Sequence, residues 1–584
     1  MSAVIVSSFS SAGVFGRFSV TFRGADRALF EDSSSAPAEG EGNPEVKAAG
    51  GRRKGTPVRD TPYSDLPVDG LLRRAARRDP DGTAVRTATR VLRFAELDAY
   101  ADRIAGWLSS AGAGRGTRVG VTHTLTPEFA AAYHGVMRAG ATVVLVNPLL
   151  PPEGLHHVLG TSGAEIVLAP AATAASLTRI APGLPALRTV VVVDAPHGRA
   201  PAGTVPLHEL IAGARPYAGP AASPDDVACV QFTTGTTGAP KGVLLTHRNV
   251  VANAWQTADA HGLTDASVTL NHLPLYHVMH LNSALYAGAC QVLCQDPDPF
   301  ASLGAAADAG ATHYYGLPAR LHALAADERL AAGGAPDGLR LTAVLSGGSA
   351  LRPQTARVLE ERLGVPVIQG YGMAELSPLT HSQRPSRYRS GTVGSVVADT
   401  ECRIVDLTTR RPLGPWAVGE VLVRGPQLMA GYLGEEHPAR VDADGFFATG
   451  DVGRLDDEGN LSLVDRLADV FKYDNEIVSP SRIERILADD PRVADCLVAD
   501  WPDPEHGALV WAGIVLREDA GVESDPYGHG VLDVLDAITE RANDRLGRFE
   551  QIRFAEAIDT VPRTPTGKPR RRAVRQKLRA SAAL

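Results

Sequence analysis

Apolar and polar positions follow two different periods along most of the chain. Amphipathic helical stretches alternate with short apolar runs rich in valine, and the segments in order are residues 68–78, 92–116, 118–124, 126–140, 141–148, 165–170 and 187–194. The first, second and fourth of these segments are helical, and the others are typical of strands. Such alternation predicts a layered α/β domain with mostly parallel strands.

The pattern changes farther along the chain. Short apolar runs punctuated by glycines occupy residues 391–463, which predicts an antiparallel sheet or barrel. After Asp465 the helix and strand signals return. The predicted fold class is α/β: a large N-terminal layered α/β domain with an antiparallel β subdomain, followed by a small C-terminal α+β domain.

The beginning of the chain differs from the rest. Residues 31–60 are rich in Ser, Gly, Pro and charge and contain almost no large apolar side chain. Such a segment buries too little surface to offset the entropy of ordering it. We therefore predict a disordered extension over residues 1–61, a large domain over 62–465 and a small domain over 466–584. The first 30 residues either pair as a short hairpin or are themselves a misassigned start.

Composition narrows the class of protein. The 584 residues allow two or three domains, and the net charge of −8 argues against a general nucleic-acid binder. No apolar run approaches the roughly 18 residues of a membrane span, so we expect no integral membrane association. The start lacks the basic segment of a signal peptide. The five cysteines are odd in number and mostly in apolar surroundings, which favours free thiols and a cytoplasmic location.

One polar stretch lies between two apolar runs. Residues 232–247 read FTTGTTGAPKGVLLTH, and the runs on either side predict a strand-to-strand turn. The glycines let backbone N–H groups approach a ligand, the threonines add hydroxyl donors, and Lys241 adds a cation. This combination suits a polyphosphate, although a plain Gly/Thr turn has the same composition. The P-loop signature is absent, since Pro240 and Gly242 flank the lysine.

A second polar stretch ends two predicted strands. Within residues 344–378 one strand ends at Gly347 and Gly348, and the next ends in GYGMAE. Both ends should lie at one edge of a parallel sheet, where ligands bind in such folds. Tyr371 offers a flat face for a base, and Glu375 offers a carboxylate for Mg²⁺. The alternative is two glycine-terminated strands and a surface carboxylate.

Two shorter motifs are ambiguous when taken alone. Asp451 lies in TGDVG, which is also the composition of an ordinary Asx turn. Lys568 lies in PRTPTGKPRRR, which is also that of a solvated basic tail.

A histidine cluster offers a different chemistry. His272, His277 and His280 lie close together and raise the alternative of a zinc site, but no acidic or cysteine partner is near them in the sequence. Cys290 and Cys294 are typical of a core, and no G-x-S-x-G nucleophile motif occurs in the region.

Together these motifs resemble the adenylate-forming superfamily of acyl-CoA synthetases, luciferases and nonribosomal adenylation domains. The resemblance covers about residues 66–575 and is nearest to the AMP-dependent acyl- and aryl-CoA synthetase branch, which includes fatty-acid and 4-coumarate CoA ligases. It implies an AMP-binding adenylation domain over 62–465 and a mobile C-terminal lid over 466–584. It further implies ATP and Mg²⁺, with coenzyme A as co-substrate, and a carboxylic acid that is activated as an acyl-adenylate and transferred to a thiol.

The resemblance also assigns roles to individual residues. It implies catalytic roles for Lys568, Glu375, Thr234 and His277, and Mg²⁺ ligation by Thr234 and Glu375. His277 would lie at the mouth of the acyl pocket. The residues implied in nucleotide binding are Thr233, Thr234, Gly235, Thr236, Thr237, Lys241, Gly348, Ser349, Gly370, Tyr371, Gly372, Met373, Ala374, Asp451, Arg466 and Lys568.

Three positions depart from the family pattern. Ala374 replaces a usual threonine, Ala468 occupies the hinge position that is usually Asp or Lys, and Asn475 stands where a glycine is usual. Ala468 and Asn475 motivate one alternative, an adenylating enzyme that passes its acyl group to a carrier protein or an amine. Ala374 motivates another, a non-catalytic nucleotide-binding protein. Apolar and aromatic residues around the implied acyl pocket suggest an aryl or a medium-to-long aliphatic acid.

Overall fold

The computed structural model describes residues 3–6, 63, 65–195, 200–233, 240–435, 440–474, 476–520, 529–563 and 569–582. The chain divides into two compact units. The large unit is Pro62–Leu467, and the small unit combines Met1–Thr61 with Ala468–Leu584.

The described strands are short and distributed along the whole chain. In order they are Ala3–Val6 (β1), Thr83–Arg86 (β2), Val91–Arg93 (β3), Arg118–Thr122 (β4), Thr142–Val146 (β5), Ile166–Ala169 (β6), Thr189–Val192 (β7), Val205–Pro206 (β8), Val227–Phe232 (β9), Gly242–Thr246 (β10), Val268–His272 (β11), Cys290–Leu293 (β12), His313–Gly316 (β13), Ala343–Ser346 (β14), Val367–Gly372 (β15), Leu379–Ser382 (β16), Ser395–Val396 (β17), Glu401–Val405 (β18), Gly419–Arg424 (β19), Gly431–Tyr432 (β20), Phe447–Leu455 (β21), Leu461–Arg466 (β22), Phe471–Tyr473 (β23), Glu476–Val478 (β24), Val493–Asp503 (β25), Gly507–Leu516 (β26) and Ile552–Ala557 (β27).

Helices connect most of these strands. In order they are Val68–Arg78 (α1), Phe94–Ser110 (α2), Pro127–Arg138 (α3), Pro152–Ser162 (α4), Ala171–Ile180 (α5), Leu207–Ala212 (α6), His247–His261 (α7), Val278–Ala287 (α8), Pro299–Ala309 (α9), Pro318–Ala325 (α10), Glu328–Gly333 (α11), Pro353–Leu363 (α12), Pro480–Leu487 (α13), His529–Asn543 (α14) and Arg571–Ala582 (α15). Short 3₁₀ turns cover Ala181–Gly183, Ala374–Leu376 and Arg548–Glu550. Within the described ranges, none of the helices combines the length and apolar character needed to cross a bilayer.

Two sheets form the core of the large unit. Their strand orders are β20-β10-β9-β5-β4-β6-β7-β8 and β17-β16-β15-β14-β13-β11-β12-β2-β3. Neighbouring strands in the middle of each sheet are parallel, as the alternation of helix and strand predicts. Toward one edge each sheet becomes antiparallel, where β9 pairs with β10 and β15 with β16. These two edges carry most of the described candidate site residues.

The helices α2 and α3 pack closely because of one glycine. A Cβ atom at Gly135 would lie 2.8 Å from the Ala101 carbonyl oxygen and 2.8 Å from Ile104 Cβ, both on α2. Real side chains do not approach this closely, so the position requires glycine. The buried Arg138 guanidinium, one turn farther along α3, also bonds Asp69 Oδ1 at 2.8 Å and thereby ties α3 to α1.

The predicted antiparallel subdomain is confirmed. Strands β18, β19, β21 and β22 form a four-stranded sheet in that order, and all three pairings are antiparallel. It brings Asp451 on β21 opposite Arg466 on β22.

The small unit contains a four-stranded sheet in the order β1-β27-β26-β25. Strands β25 and β26 form a long hairpin, and helices α13 and α15 pack on β25. The α+β character predicted for the C-terminal region is thus confirmed. Within the extension predicted to be disordered, residues 3–6 form an edge strand parallel to β27. Residues 7–62, and with them the rest of the proposed hairpin, lie outside the described residues.

Buried neutral histidines predict a loss of stability in mild acid. Burial lowers the pKa of His134, His261 and His381 to about 3 each. In the unfolded chain each would titrate near the ordinary value of about 6.5. The unfolded state therefore binds more protons below that pH, and the free energy of unfolding falls as the pH falls from about 6.5 toward 3. We expect a loss of about 1 kcal/mol per histidine between roughly pH 7 and 5.5, measured by urea unfolding.

The variant His134→Phe provides the control, since a phenyl ring has a similar shape and takes no proton. Its pH-dependent loss should be smaller than that of the wild type by about 1 kcal/mol. An equal loss in the two proteins would contradict the assignment of His134 as a buried neutral group.

Candidate active site

The predicted phosphate loop connects two antiparallel strands, β9 and β10. The prediction of a strand-to-strand turn is thus confirmed. The Thr233 N–H donates to the Lys241 carbonyl at 2.9 Å, and the Lys241 N–H donates to Thr233 Oγ1 at 3.1 Å. These bonds fix the two ends of the loop against each other. The intervening site candidates Thr234, Gly235, Thr236 and Thr237 lie outside the described residues.

Tyr432 joins the predicted phosphate lysine to the predicted magnesium ligand. Its hydroxyl donates to Glu375 Oε1 at 2.9 Å, while its ring lies 4.8 Å below Lys241 Nζ. The ammonium of Lys241 also donates to Glu435 Oε1 at 2.6 Å. Burial and the neighbouring Glu375 carboxylate raise the pKa of Tyr432 above its ordinary value, so the phenol keeps its proton. One side chain therefore positions both candidate residues.

Sheet pairing places Tyr432 between these two residues. Strand β20 pairs with β10 so that Val243 lies opposite Tyr432, and the Leu433 N–H donates to the Gly242 carbonyl at 2.7 Å. The sequence analysis did not identify Tyr432. The signal that could have found it is an aromatic residue in the GYLG motif, next to glycines that permit close backbone approach.

Glu375 lies in the 3₁₀ turn Ala374–Leu376 that follows β15. It is 7% exposed, and its carbonyl accepts the Met429 N–H at 2.9 Å. A carboxylate that is held in place by its backbone and by a phenol is the hard oxygen donor that Mg²⁺ prefers, so the residues present fit this ion. The neighbouring Ala374 contributes no hydroxyl.

The three residues predicted to bind the nucleoside form one hydrogen-bonded group. The Tyr371 hydroxyl donates to Asp451 Oδ2 at 2.5 Å, and Arg466 Nε donates to Asp451 Oδ1 at 2.7 Å. The Asp451 N–H in turn donates to Thr449 Oγ1 at 3.1 Å. Burial, followed by the Asp451 charge, raises the pKa of Tyr371 well above its ordinary value. The site thus presents a fixed carboxylate beside a protonated phenol ring.

Glycines shape the edge of the second sheet. A Cβ atom at Gly372 would lie 2.0 Å from the Pro378 carbonyl oxygen, so no side chain fits there. Gly370 pairs with Ser382 across the antiparallel β15–β16 ladder. Gly348, with a φ of 83°, is the second residue after the end of β14 and precedes the exposed Ser349. Since β14 and β15 are parallel neighbours, their carboxyl ends meet at one edge, as predicted. Met373 is the residue just beyond β15.

His277 caps helix α8. Its Nδ1 accepts the Met279 N–H at 3.2 Å, and burial lowers its pKa to about 4. The ring is therefore neutral and carries its proton on Nε2. The zinc alternative finds no support in the neighbouring His272, whose Nδ1 and Nε2 bond the Tyr314 hydroxyl at 2.9 Å and the Asp296 carbonyl at 3.0 Å. Of the residues that the structure describes, no three His, Cys, Asp or Glu are grouped to hold a metal.

The chain is hydrogen-bonded on each side of the predicted hinge position. The boundary between the two units falls between Leu467 and Ala468. In the large unit the Leu467 N–H donates to the Gly450 carbonyl at 2.8 Å. In the small unit the carbonyl of Ala468 accepts a bond from the guanidinium of Arg575, a residue that the sequence analysis did not identify. The other predicted residues near this boundary and beyond it, Asn475 and Lys568, lie outside the described residues.

Tyr371 with Asp451 and Arg466, and Lys241 with Tyr432 and Glu375, thus form two connected polar groups in the large unit, as expected for the class of adenylate-forming enzymes. A family model described as AMP-binding enzyme matches residues 72–433, and one described as AMP-binding enzyme C-terminal domain matches residues 482–568. The first match covers more than half of the chain. The protein therefore belongs to the AMP-binding enzyme family, and the family predicted from the motifs is confirmed.

Individual relatives agree with the predicted branch of acid–thiol ligases. The chain is 31% identical to 4-coumarate--CoA ligase 2 of Oryza sativa subsp. japonica, over 88% of this chain and 93% of the relative. It is 28% identical to the long-chain-fatty-acid--CoA ligase of Bacillus subtilis, over 88% of this chain and 95% of the relative. The crystal structure of ATP-bound MatB from Rhodopseudomonas palustris superimposes with a TM-score of 0.77 at 25% identity, over 88% of this chain and all of that chain.

The contacts of Tyr432 generate a prediction about metal dependence. Tyr432→Phe removes the bond to Glu375 and keeps the ring below Lys241. We expect the Mg²⁺ concentration for half-maximal ATP turnover to rise about fivefold, because a hydrogen bond to a charged group is worth about 1 kcal/mol or more. The KM for ATP at saturating Mg²⁺ should stay nearly unchanged. Tyr432→Leu, which also removes the ring, should raise both values.

Tyr217→Phe is the matched control, since the Tyr217 hydroxyl donates a solvent-exposed hydrogen bond to the Pro220 carbonyl. It should leave the Mg²⁺ dependence unchanged. If Tyr432→Phe behaved like this control, the hydroxyl would have no part in positioning Glu375.

Proposed function

We propose that this protein activates a carboxylic acid with ATP and transfers the acyl group to coenzyme A. The observation that carries the proposal is the pair of connected groups in the large unit. Tyr432 links Lys241 to Glu375, and Asp451 links Tyr371 to Arg466. The names of the relatives, 4-coumarate--CoA ligase and long-chain-fatty-acid--CoA ligase, support the same reaction class.

In the first step a carboxylate oxygen of the acid attacks the α-phosphorus of ATP. The new P–O bond forms as the bond to pyrophosphate breaks, and the products are acyl-AMP and pyrophosphate. Asp451 accepts the ribose hydroxyls, and Tyr371 offers its ring face to the base. Lys241 neutralises phosphate charge, and Lys568 stabilises the charge that develops on the phosphoryl oxygens.

Mg²⁺ bound at Glu375 would supply the positive charge that pairs with the phosphates. Thr234 is the second ligand that we propose. The bond from Tyr432 to Glu375 Oε1, at 2.9 Å, holds one oxygen of the carboxylate and so fixes its orientation.

In the second step the sulfur of coenzyme A attacks the acyl carbonyl. The C–S bond forms, AMP leaves with both electrons of the C–O bond, and the thiol proton is released. Ala468 and Asn475 depart from the family pattern near this step, so a carrier-protein thiol or an amine is the second candidate acceptor. The neutral His277, at the start of α8, would lie at the mouth of the acyl pocket.

We further propose that the acid is an aryl or a medium-to-long aliphatic acid and that the reaction is cytoplasmic. Apolar and aromatic residues around α8, β13 and the end of β14 support the first point. All five cysteines are free thiols, in agreement with a reducing compartment.

Product analysis tests the proposal. The protein is incubated with MgATP and a pool of aryl and aliphatic acids, with and without coenzyme A, and the products are identified by mass spectrometry. We expect acyl-AMP without coenzyme A and acyl-CoA with it. Acyl-AMP that coenzyme A leaves unchanged would favour the carrier-protein or amine acceptor. Absence of both products for every acid would contradict the proposal.

Two lysine variants distinguish a catalytic role of Lys568 from an effect of general surface charge. Lys568→Ala should lower acyl-AMP formation by about a hundredfold or more, because it removes the cation proposed to stabilise the transition state. Lys577→Ala, on the exposed side of α15, should leave the rate unchanged. Equal rates for Lys568→Ala and wild type would show that Lys568 takes no part in the chemical step.

A further inference from the structure

The second sheet carries a row of side chains near its carboxyl edge. The row consists of residues that lie in register on β12, β11, β13, β14 and β15, and their side chains point to the same face of the sheet. They are Leu293, Asn271, Tyr315, Leu345 and Ile368. In this row, which we call the edge row, Asn271 is the one amide among apolar and aromatic neighbours. Asn271 and Tyr315 are each the penultimate residue of their strands, close to where ligands bind in such sheets.

Two histidines from the covering helices contact Tyr315. His280 of α8 stacks on the Tyr315 ring, with ring centroids 4.0 Å apart and planes inclined by 19°. His261 of α7 bonds the Tyr315 hydroxyl through Nδ1 at 2.9 Å. Burial, reinforced by the neighbouring His277 and His261, lowers the pKa of His280 well below its ordinary value. The two histidines that contact Tyr315 are therefore polar and uncharged.

Three polar atoms of this group have no hydrogen-bond partner among the described residues. They are Nδ2 and Oδ1 of Asn271, which is 0% exposed, and Nδ1 of His280, which is 8% exposed. Burying an amide with both of its polar atoms unpaired is unfavourable, and buried polar groups almost always have a partner. The opposite face of β11 shows the usual situation, since both ring nitrogens of His272 are paired there.

We propose that the edge row binds a hydroxyl group on the acid, with Asn271 and His280 as its recognition residues. This inference rests on the proposed function and narrows its substrate class. A hydroxyl both donates and accepts, so it can pair with Asn271 Oδ1 and Nδ2 at once or with the nitrogen of His280. A carboxylate or ammonium would find no opposite charge among the side chains of the edge row and of the two histidines, so the preferred group is uncharged.

Matched acids test this preference directly in the wild-type protein. The pairs are cinnamic acid with its para-hydroxy derivative, and decanoic acid with its omega-hydroxy derivative. Pyrophosphate release gives kcat/KM for each. We expect the hydroxylated member of at least one pair to exceed its partner by about tenfold or more, because a site with unpaired polar groups discriminates against the analogue that lacks the hydroxyl. Equal values within both pairs would overturn the inference.

Two variants assign the preference to the named atoms. Asn271→Leu keeps the shape and removes the amide, so it should reduce the preference to about threefold or less. The preference is the ratio of two kcat/KM values, so a general loss of activity in the variant does not change it. His280→Phe keeps the stack on Tyr315 and should lower the preference mainly through KM. A preference that survived in both variants would overturn the assignment.

His134→Phe is the matched control. His134 is also buried, and both of its ring nitrogens lack a described partner, but it lies on α3 and outside the edge row. It should leave the preference unchanged. Absence of pyrophosphate with all four acids and with the wider pool would overturn the proposed function itself. Turnover without a hydroxyl preference would overturn only the present inference.

Discussion

The pairing of two residues, Gly431–Tyr432, with strand β10 is the constraint on which the proposed phosphate side of the site depends. It places one phenol so that its hydroxyl reaches Glu375 and its ring lies below Lys241. Those two residues are 134 positions apart in the chain, as their numbers show. The same pairing draws Leu433 against Gly242, where a side chain would crowd Val230 and Leu433 at about 3 Å. Loss of the pairing would separate the cation from the carboxylate even if both residues were intact.

A second constraint is the antiparallel pairing of β21 with β22, which sets Asp451 opposite Arg466. The carboxylate lies between an arginine and the Tyr371 phenol, and it is almost fully buried. A carboxylate in this position keeps its orientation because both oxygens accept strong hydrogen bonds. The two faces of β11 differ in a related way. One face pairs every nitrogen of His272, whereas the other leaves the Asn271 amide unpaired beside Tyr315.

Much of the architecture follows from local pattern. The helices α1 to α3 and strands β4 and β5 begin and end close to the predicted segments, because amphipathic period and glycine stops are local signals. The prediction that the loop before Lys241 connects two strands also came from the local pattern. Tyr432 and Arg575 were not predicted, although Tyr432 lies beside glycines and Arg575 lies in a basic run, because their partners Glu375 and Ala468 are distant in the sequence. The strand Ala3–Val6 was also missed, because an isolated run of four apolar residues gives no pairing partner.

By itself the sequence determined the fold class and the family, and it identified Lys241, Tyr371, Glu375, Asp451 and Arg466 as candidates, because these depend on residue type and spacing along the chain. Only the tertiary structure decided which of them touch. Hydrogen bonds between Tyr371 and Asp451, or between Tyr432 and Glu375, join residues 80 and 57 positions apart. Such contacts depend on strand register and sheet order, which are set by packing across the whole unit and leave no local trace in the sequence.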